Sequence, residues 1–359
     1  MFIIKLADKK VYDYRQGPDC VVWEITLACN LRCVHCGVNA AFARESELSL
    51  KDCLMICQQL KEIKTKYITL MGGELFLRKD WETIARKIRQ LGMKLTIVSN
   101  GWFIDRAMIK KLKELNLYHL VISLDGEEKV HDYIRGVKGA FGRAAKAIDL
   151  GLEAGVRVGI ITTLSRFNLF ELKKIRRFVL DRRGALKWQV QVASCHGGRM
   201  KPQDRLSLKE FYFLGAFINE TMKKYSFLAC PLMGAHDIGY YSRYFDRITE
   251  YNHRFWEGCT AGVNTLGISS NGNVKGCLSL SDEFIEDNIK NRSLVEIWYD
   301  PKAFVMNRHF KKRFLKGFCA HCPHKESCEG GCSDLACSFS GSAYSDPYCF
   351  YRLEKQGFK

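Results

Sequence analysis

Six apolar runs punctuate the first two thirds of the chain, at 21–26 (VVWEIT), 67–71 (YITLM), 94–99 (KLTIVS), 119–124 (HLVISL), 156–164 (VRVGIITTL) and 187–194 (KWQVQVAS). They are rich in β-branched residues and alternate little, as strands buried on both faces do. Between them the apolar positions recur at helical spacing, predicting helices over 49–63, 80–92, 105–116, 142–155, 169–184 and 207–225. Ser49 with Asp52 reads as a capping box, and Gly92 as a helix-ending residue. Six βα units in about 205 residues imply parallel strands joined by right-handed crossovers. Six are too few to close an eight-stranded barrel, so the expected fold is α/β, a partial (β/α)6 TIM-like barrel. Its functional face should be the carboxyl ends of the strands.

The pattern changes after about residue 230. Residues 258–277 read as a hairpin with SNGN at its turn, and the remainder is cysteine-rich and irregular. The expected organisation is an N-terminal arm or edge hairpin over 1–20, the barrel over 21–225, a bridge over 226–257 rich in Tyr, Arg and Phe, and a small cysteine-rich domain over 258–359.

Composition narrows the class. Apolar residues make up 47% of the 359, enough for a full core. No apolar run reaches the roughly 18 residues of a membrane span, and the N-terminus lacks a signal-peptide core, so a cytoplasmic protein with no membrane partner is expected. The 16 cysteines cluster at short spacings, which favours metal ligation over disulfides. The formal charge is +17, from 56 Lys and Arg against 39 Asp and Glu, and suits either solvated helix faces or an acidic partner.

The first cysteine group, CNLRCVHC, carries Cys29, Cys33 and Cys36 just after the first strand. Three thiolates on a four-iron cluster leave one iron open, as a catalytic metal keeps an open position. A zinc site completed by His35 is the alternative on spacing alone. One strand later comes Gly72-Gly73-Glu74, where glycines allow close backbone approach and a carboxylate can hold an amino group. With these two motifs together, the sequence resembles the radical S-adenosylmethionine (SAM) enzymes over essentially its whole length. The resemblance implies that the open iron is chelated by the amino and carboxylate groups of SAM, and that Gly72, Gly73 and Glu74 bind the methionine amino group. It implies cofactor-binding roles for Ser99 and Asn100, and for Ser123 and Arg135 at the SAM carboxylate or ribose. The chain departs from the commoner pattern in having histidine before the third cysteine and GGEL rather than GGEP.

The second cysteine field is Cys259, twelve residues, Gly272, four residues, Cys277, then Cys319-x2-Cys322-x5-Cys328-x3-Cys332 and Cys349. It resembles the SPASM extension of radical SAM enzymes at all seven cysteines and the glycine. The resemblance implies two auxiliary 4Fe–4S clusters, three clusters in all. One would use Cys259, Cys277 and Cys332, with Cys230 or, more weakly, Cys337 as fourth ligand. The other would use Cys319, Cys322, Cys328 and Cys349. Cys195 and Cys230 are candidate hydrogen donors to a substrate radical. Cys53 and Cys57, four apart on one helix, read as buried core residues.

The resemblance makes a ribosomally synthesised peptide the expected substrate, with hydrogen abstraction leading to a carbon–carbon or thioether crosslink. An acidic leader peptide would suit the basic charge. Only 28 residues precede Cys29, so a separate peptide-recognition protein is an expected partner, as is a flavodoxin or ferredoxin electron donor. The alternatives are a peptide or sugar epimerase, a formylglycine-type or small-molecule dehydrogenase, and a zinc protein that binds nucleic acid. Leu278 stands where the formylglycine-forming relatives have an aspartate base, which demotes that activity.

Overall fold

Strand β1 (Cys20–Glu24) lies within a sheet that has ten strands among the described residues, flanked on both sides by parallel neighbours. The structure, a computed structural model, describes residues 12–182, 187–196, 198–225, 232–235, 238, 241–243 and 256–358. Beyond β1 the elements alternate as expected, except that one unanticipated helix, α4, precedes α5: α1 (Leu50–Glu62), β2 (Tyr67–Met71), α2 (Trp81–Gln90), β3 (Lys94–Ser99), α3 (Arg106–Glu114), β4 (His119–Ser123), α4 (Glu128–Arg135), α5 (Ala140–Glu153), β5 (Val158–Leu164), α6 (Leu172–Asp181), β6 (Lys187–Val192) and α7 (Leu208–Lys224). Ser49 and Asp52 form the anticipated capping box, and Ser207 forms a second with Glu210. The strands are apolar because helices cover the sheet, and Trp23, Trp188 and Ile68 are among the fully buried side chains. Burying such a side chain contributes roughly 1.5–3 kcal/mol.

The sheet extends past the six anticipated strands. Within the expected bridge, β7 (Leu232–Gly234) pairs in parallel with β6. The expected hairpin of the C-terminal region supplies β8 (Thr265–Ile268) and β9 (Asn273–Lys275), and β8 pairs in parallel with β1. A further strand, β10 (Ile285–Asn288), lies antiparallel to β9. The order is therefore β10-β9-β8-β1-β2-β3-β4-β5-β6-β7. The first strands of the cysteine-rich region thus extend the barrel sheet. Gly272, at φ 95°, closes the β8–β9 turn in a conformation that favours glycine. Of the expected arm, 1–11 lie outside the described residues. Residues 14–16 form one helical turn instead of a hairpin, and the Tyr14 carbonyl accepts from Trp298 Nε1 at 2.8 Å.

Two further contacts join the halves. Phe350 stacks on Phe211 of α7 with centroids 4.6 Å apart. Glu24, at the end of β1 and buried, accepts from the Ser270 N–H (3.1 Å), the Ser270 hydroxyl (2.8 Å) and Arg44 Nη2 (3.0 Å). This carboxylate fastens the β8–β9 turn to the barrel. Replacing it with Ala leaves the Ser270 N–H without its acceptor, while the partly exposed Arg44 keeps its bond to the Ser270 hydroxyl. Glu24→Ala is expected to cost about 1–3 kcal/mol, read as a lower midpoint of urea unfolding. Glu24→Gln, which can still accept from Ser270, is expected to cost less.

Candidate active site

The described candidate residues of the barrel half gather at the carboxyl ends of its strands. After β1 the chain forms a loop without regular structure that carries Cys29, Cys33 and Cys36, each half-buried. Its shape is set by backbone bonds: Cys29 N–H to Ala41 O at 3.1 Å and Cys36 N–H to Cys33 O at 3.2 Å. Backbone N–H groups also donate to two of the sulfurs, Leu31 to Cys29 Sγ (3.4 Å) and Ala40 to Cys36 Sγ (3.3 Å). The end of α4 supports one side, its Arg135 and Ile134 carbonyls accepting from Arg32 and Val34 N–H. Arg199, after β6, supports the other: its N–H donates to Cys36 O at 2.9 Å and its guanidinium to the Cys33 and Ala40 carbonyls. Burial pushes the Cys29 thiol up to about 11 and also raises Cys33, where the Arg135 charge opposes it. Thiols in this setting ionise when a cation takes them as ligands.

The residues after β2 lie directly beneath this loop. A Cβ on Gly72 would come 2.4 Å from Thr26 O, and one on Gly73 2.3 Å from Ala28 O, so only glycine fits. Glu74 is buried, with its N–H bonded to Ala28 O at 2.7 Å. Its carboxylate accepts from the Ser99 hydroxyl (3.0 and 3.1 Å) and the Asn100 N–H (2.8 Å). Burial raises it to about 7 against those bonds. Ser99 and Asn100, expected as cofactor contacts, are therefore the groups that orient Glu74. The Asn100 side chain also donates to Asn30 of the cysteine loop at 2.9 Å.

The sequence reading missed the residue at the centre of this region. Asp125 follows β4, is fully buried, and its Oδ2 lies 2.8 Å from His35 Nε2 and 2.7 Å from Arg135 Nη2. The acid one residue past a buried strand, in SLDG, was the available signal. Burial would raise its carboxyl, but the Arg135 charge and the His35 contact outweigh it and hold the carboxyl well below the usual range. His35 is thus engaged by Asp125. Among the described residues no three His, Cys, Asp or Glu side chains form a set that could hold a single metal ion. Arg135 also reaches Cys33 Sγ at 3.8 Å, and its Nε is buried with no hydrogen-bond partner. Ser123 sits at the end of β4, half-buried.

The cysteines of the second field influence one another in two neighbourhoods. Cys319, Cys322, Cys328 and Cys349 lie close enough for each of Cys328 and Cys349 to feel the charges of Cys319 and Cys322. Cys277 feels Cys259, and Cys332 opens the helix Ser333–Ser340, whose Asp334 acts on Cys277. Cys337, on the same helix, is pushed up to about 12 by burial. Cys195 is half-buried after β6, and its N–H donates to Ser338 Oγ at 2.7 Å. The adjoining His196 pairs with Asp334 at 2.8 Å, two further residues the sequence reading passed over. Cys230 lies outside the described residues.

Residues 23–179 match the family model of the radical SAM superfamily, and residues 259–323 that of the SPASM iron–sulfur cluster-binding domain. An Fe-coproporphyrin III synthase from Methanosarcina barkeri is 30% identical over 358 residues, spanning 94% of this chain and 89% of that protein. The chain belongs to the radical SAM superfamily. The mycofactocin maturase MftC of Mycolicibacterium smegmatis is 27% identical over 380 residues, spanning 97% of this chain and 88% of its own. Streptococcus suis SuiB bound to SAM shares the fold, with a TM-score of 0.74 at 21% identity over 93% of this chain and 77% of its own.

The residues present fit the cofactors that radical SAM membership implies. N–H groups aimed at cysteine sulfurs suit thiolate ligands of an iron–sulfur cluster. The unpartnered, buried Arg135 Nε suits an anionic ligand group. The radical SAM site also has a pH signature. Because the folded protein favours protonated Glu74, its contribution to stability falls as pH rises from the ordinary carboxylate range to about 7, then levels off. Glu74→Gln removes that titration. The cofactor-free variant is expected to gain on the order of a few kcal/mol over wild type between pH 5 and 8, measured by paired thermal melts.

Proposed function

We propose that this radical SAM enzyme abstracts a hydrogen from a substrate carbon in a ribosomally synthesised peptide. The observation carrying the reading is the convergence of three half-buried thiols, the buried Glu74 carboxylate and the unpartnered Arg135 Nε at the ends of neighbouring strands. Cys29, Cys33 and Cys36 would ligate a 4Fe–4S cluster with one iron open. Glu74, presented by Gly72 and Gly73 and oriented by Ser99 and Asn100, would accept from the amino group of SAM. Arg135 and Ser123 would meet its carboxylate or ribose. With both cofactors bound, reductive cleavage of SAM supplies the 5′-deoxyadenosyl radical. Cys259, Cys277 and Cys332 would hold one auxiliary cluster, with Cys230 or Cys337 as candidate fourth ligand. Cys319, Cys322, Cys328 and Cys349 would hold another. Cys195, fastened by Ser338, is the candidate thiol donor if the outcome is epimerisation.

Two features support a large substrate. Among the described residues the sheet ends on β10 and β7 rather than closing on itself, and an open sheet suits a larger substrate than a closed barrel does. The similarity to MftC, a maturase by name, spans nearly the whole chain. A second reading is favoured by the relatives named as an Fe-coproporphyrin III synthase and an AdoMet-dependent heme synthase: a carboxylate-bearing iron tetrapyrrole as substrate, which would also suit the net charge of +17.

One assay separates them. The cluster-loaded, reduced enzyme is incubated with SAM and either any acidic precursor peptide encoded beside the gene or an iron tetrapyrrole carrying peripheral carboxylates. The peptide reading expects 5′-deoxyadenosine formation coupled to loss of two hydrogens from the peptide. Turnover of the tetrapyrrole alone would overturn it. Replacing Cys29, Cys33 and Cys36 with Ala should abolish 5′-deoxyadenosine while iron falls from about twelve to about eight per chain.

A further inference from the structure

We propose that Asp125 is a positioning residue of the radical-generating site, holding Arg135 and His35 so that the charge at Cys33 is balanced rather than fully positive. The inference rests on Cys29, Cys33 and Cys36 being the cluster ligands.

Asp125 is fixed from four directions. Its Oδ2 is shared between His35 Nε2, on the cysteine loop, and Arg135 Nη2, on α4. Its Oδ1 accepts from the Thr163 N–H of β5 at 3.0 Å. Its own N–H donates to His131 Nδ1 at 3.0 Å, and its carbonyl accepts from Asn168 Nδ2 at 3.0 Å. Burial keeps His131 neutral, its pKa lowered to about 3, so its Nδ1 stays an acceptor. A carboxylate held this way has one available geometry, and it imposes that geometry on both side chains.

Arg135 transmits the effect. Its guanidinium bridges Asp125 and Cys33 Sγ, so one rigid fork carries charge from a buried acid to a cluster ligand. Cluster reduction potentials respond to nearby charge and to hydrogen bonds at the sulfurs. A positive group at a ligating sulfur favours the reduced, more negative cluster, and a negative group behind it offsets that pull. The two ends of the Asp125–Arg135 pair should therefore act in opposite senses.

The test is an EPR-monitored reductive titration of the full chain with all clusters loaded. It follows the signal that changes when SAM is added, with potentials measured without SAM. Asp125→Asn, which leaves Arg135 unopposed, is expected to raise the midpoint potential. Arg135→Gln, which leaves Asp125 unopposed, is expected to lower it. Each shift should change the ratio of reduced to oxidised cluster about tenfold at fixed solution potential, about 59 mV for one electron. Arg135→Lys, which keeps the charge, should stay nearer wild type than Arg135→Gln does, and gives a readout if the Gln variant folds poorly. Shifts of the same sign, or none, would overturn the proposal, because a merely structural role predicts no sign reversal. A wild-type enzyme without any SAM-responsive signal would instead overturn the cluster reading, and the inference with it.

Discussion

A buried carboxylate at the carboxyl end of a parallel strand, with its oxygens engaged, is the interaction on which the rest of this site depends. It occurs at three strand ends: Glu24 closing β1, Glu74 after β2 and Asp125 after β4. Strand ends in a parallel sheet have no ladder to continue into, and the loops beyond them have no regular structure. Something must fix those loops, and apolar packing alone is not directional. A carboxylate is directional, because each oxygen accepts from a defined donor, and leaving it unpaired in the interior is costly. Glu24 draws in the C-terminal hairpin, Glu74 ties β2 to β3, and Asp125 ties β4 and β5 to the cysteine loop.

The cysteine loop is where these ties meet. It is supported by Asn100 through Asn30, by α4 through backbone carbonyls, by Asp125 through His35, and by Arg199 from beyond β6. A loop braced from so many elements holds its thiols in one arrangement, which lowers the ordering cost of binding a cofactor there. The segment after β6 reaches in both directions. Arg199 grips the cysteine loop, while Cys195 and His196 bond to the helix Ser333–Ser340, between Cys332 and the C-terminal cysteines. Within a few residues it links the neighbourhoods of the first and second cysteine fields.

Much of this was legible in the chain. The strand and helix runs appear because a core covered on both faces demands continuous apolar strands and amphipathic helices, and β2 and β3 match their anticipated bounds. The cysteine spacings are local properties of loops and survive without knowledge of the fold. Gly72 and Gly73 were readable as close-approach glycines, and the Cβ contacts with Thr26 O and Ala28 O supply the reason. The roles of Ser99 and Asn100 were less legible. Polar residues at a strand end can face a ligand or brace a neighbour, and only the position of Glu74 distinguishes these.

What the sequence by itself determined is the set of local features: the βα alternation, the cysteine groups and the glycine turn at Gly272. Each depends on residues close together in the chain, through periodicity, ligand chemistry or backbone conformation. What only the tertiary structure decided is pairing over long separations. The sequence reading ended the sheet at six strands, yet β8 pairs with β1 across more than two hundred residues. Asp125 went unremarked because a lone acid after a strand acquires meaning only when His35 and Arg135 meet it in space. Local patterns specify elements. The buried charge that fastens them together can be identified only once the chain has brought its partners within hydrogen-bond reach.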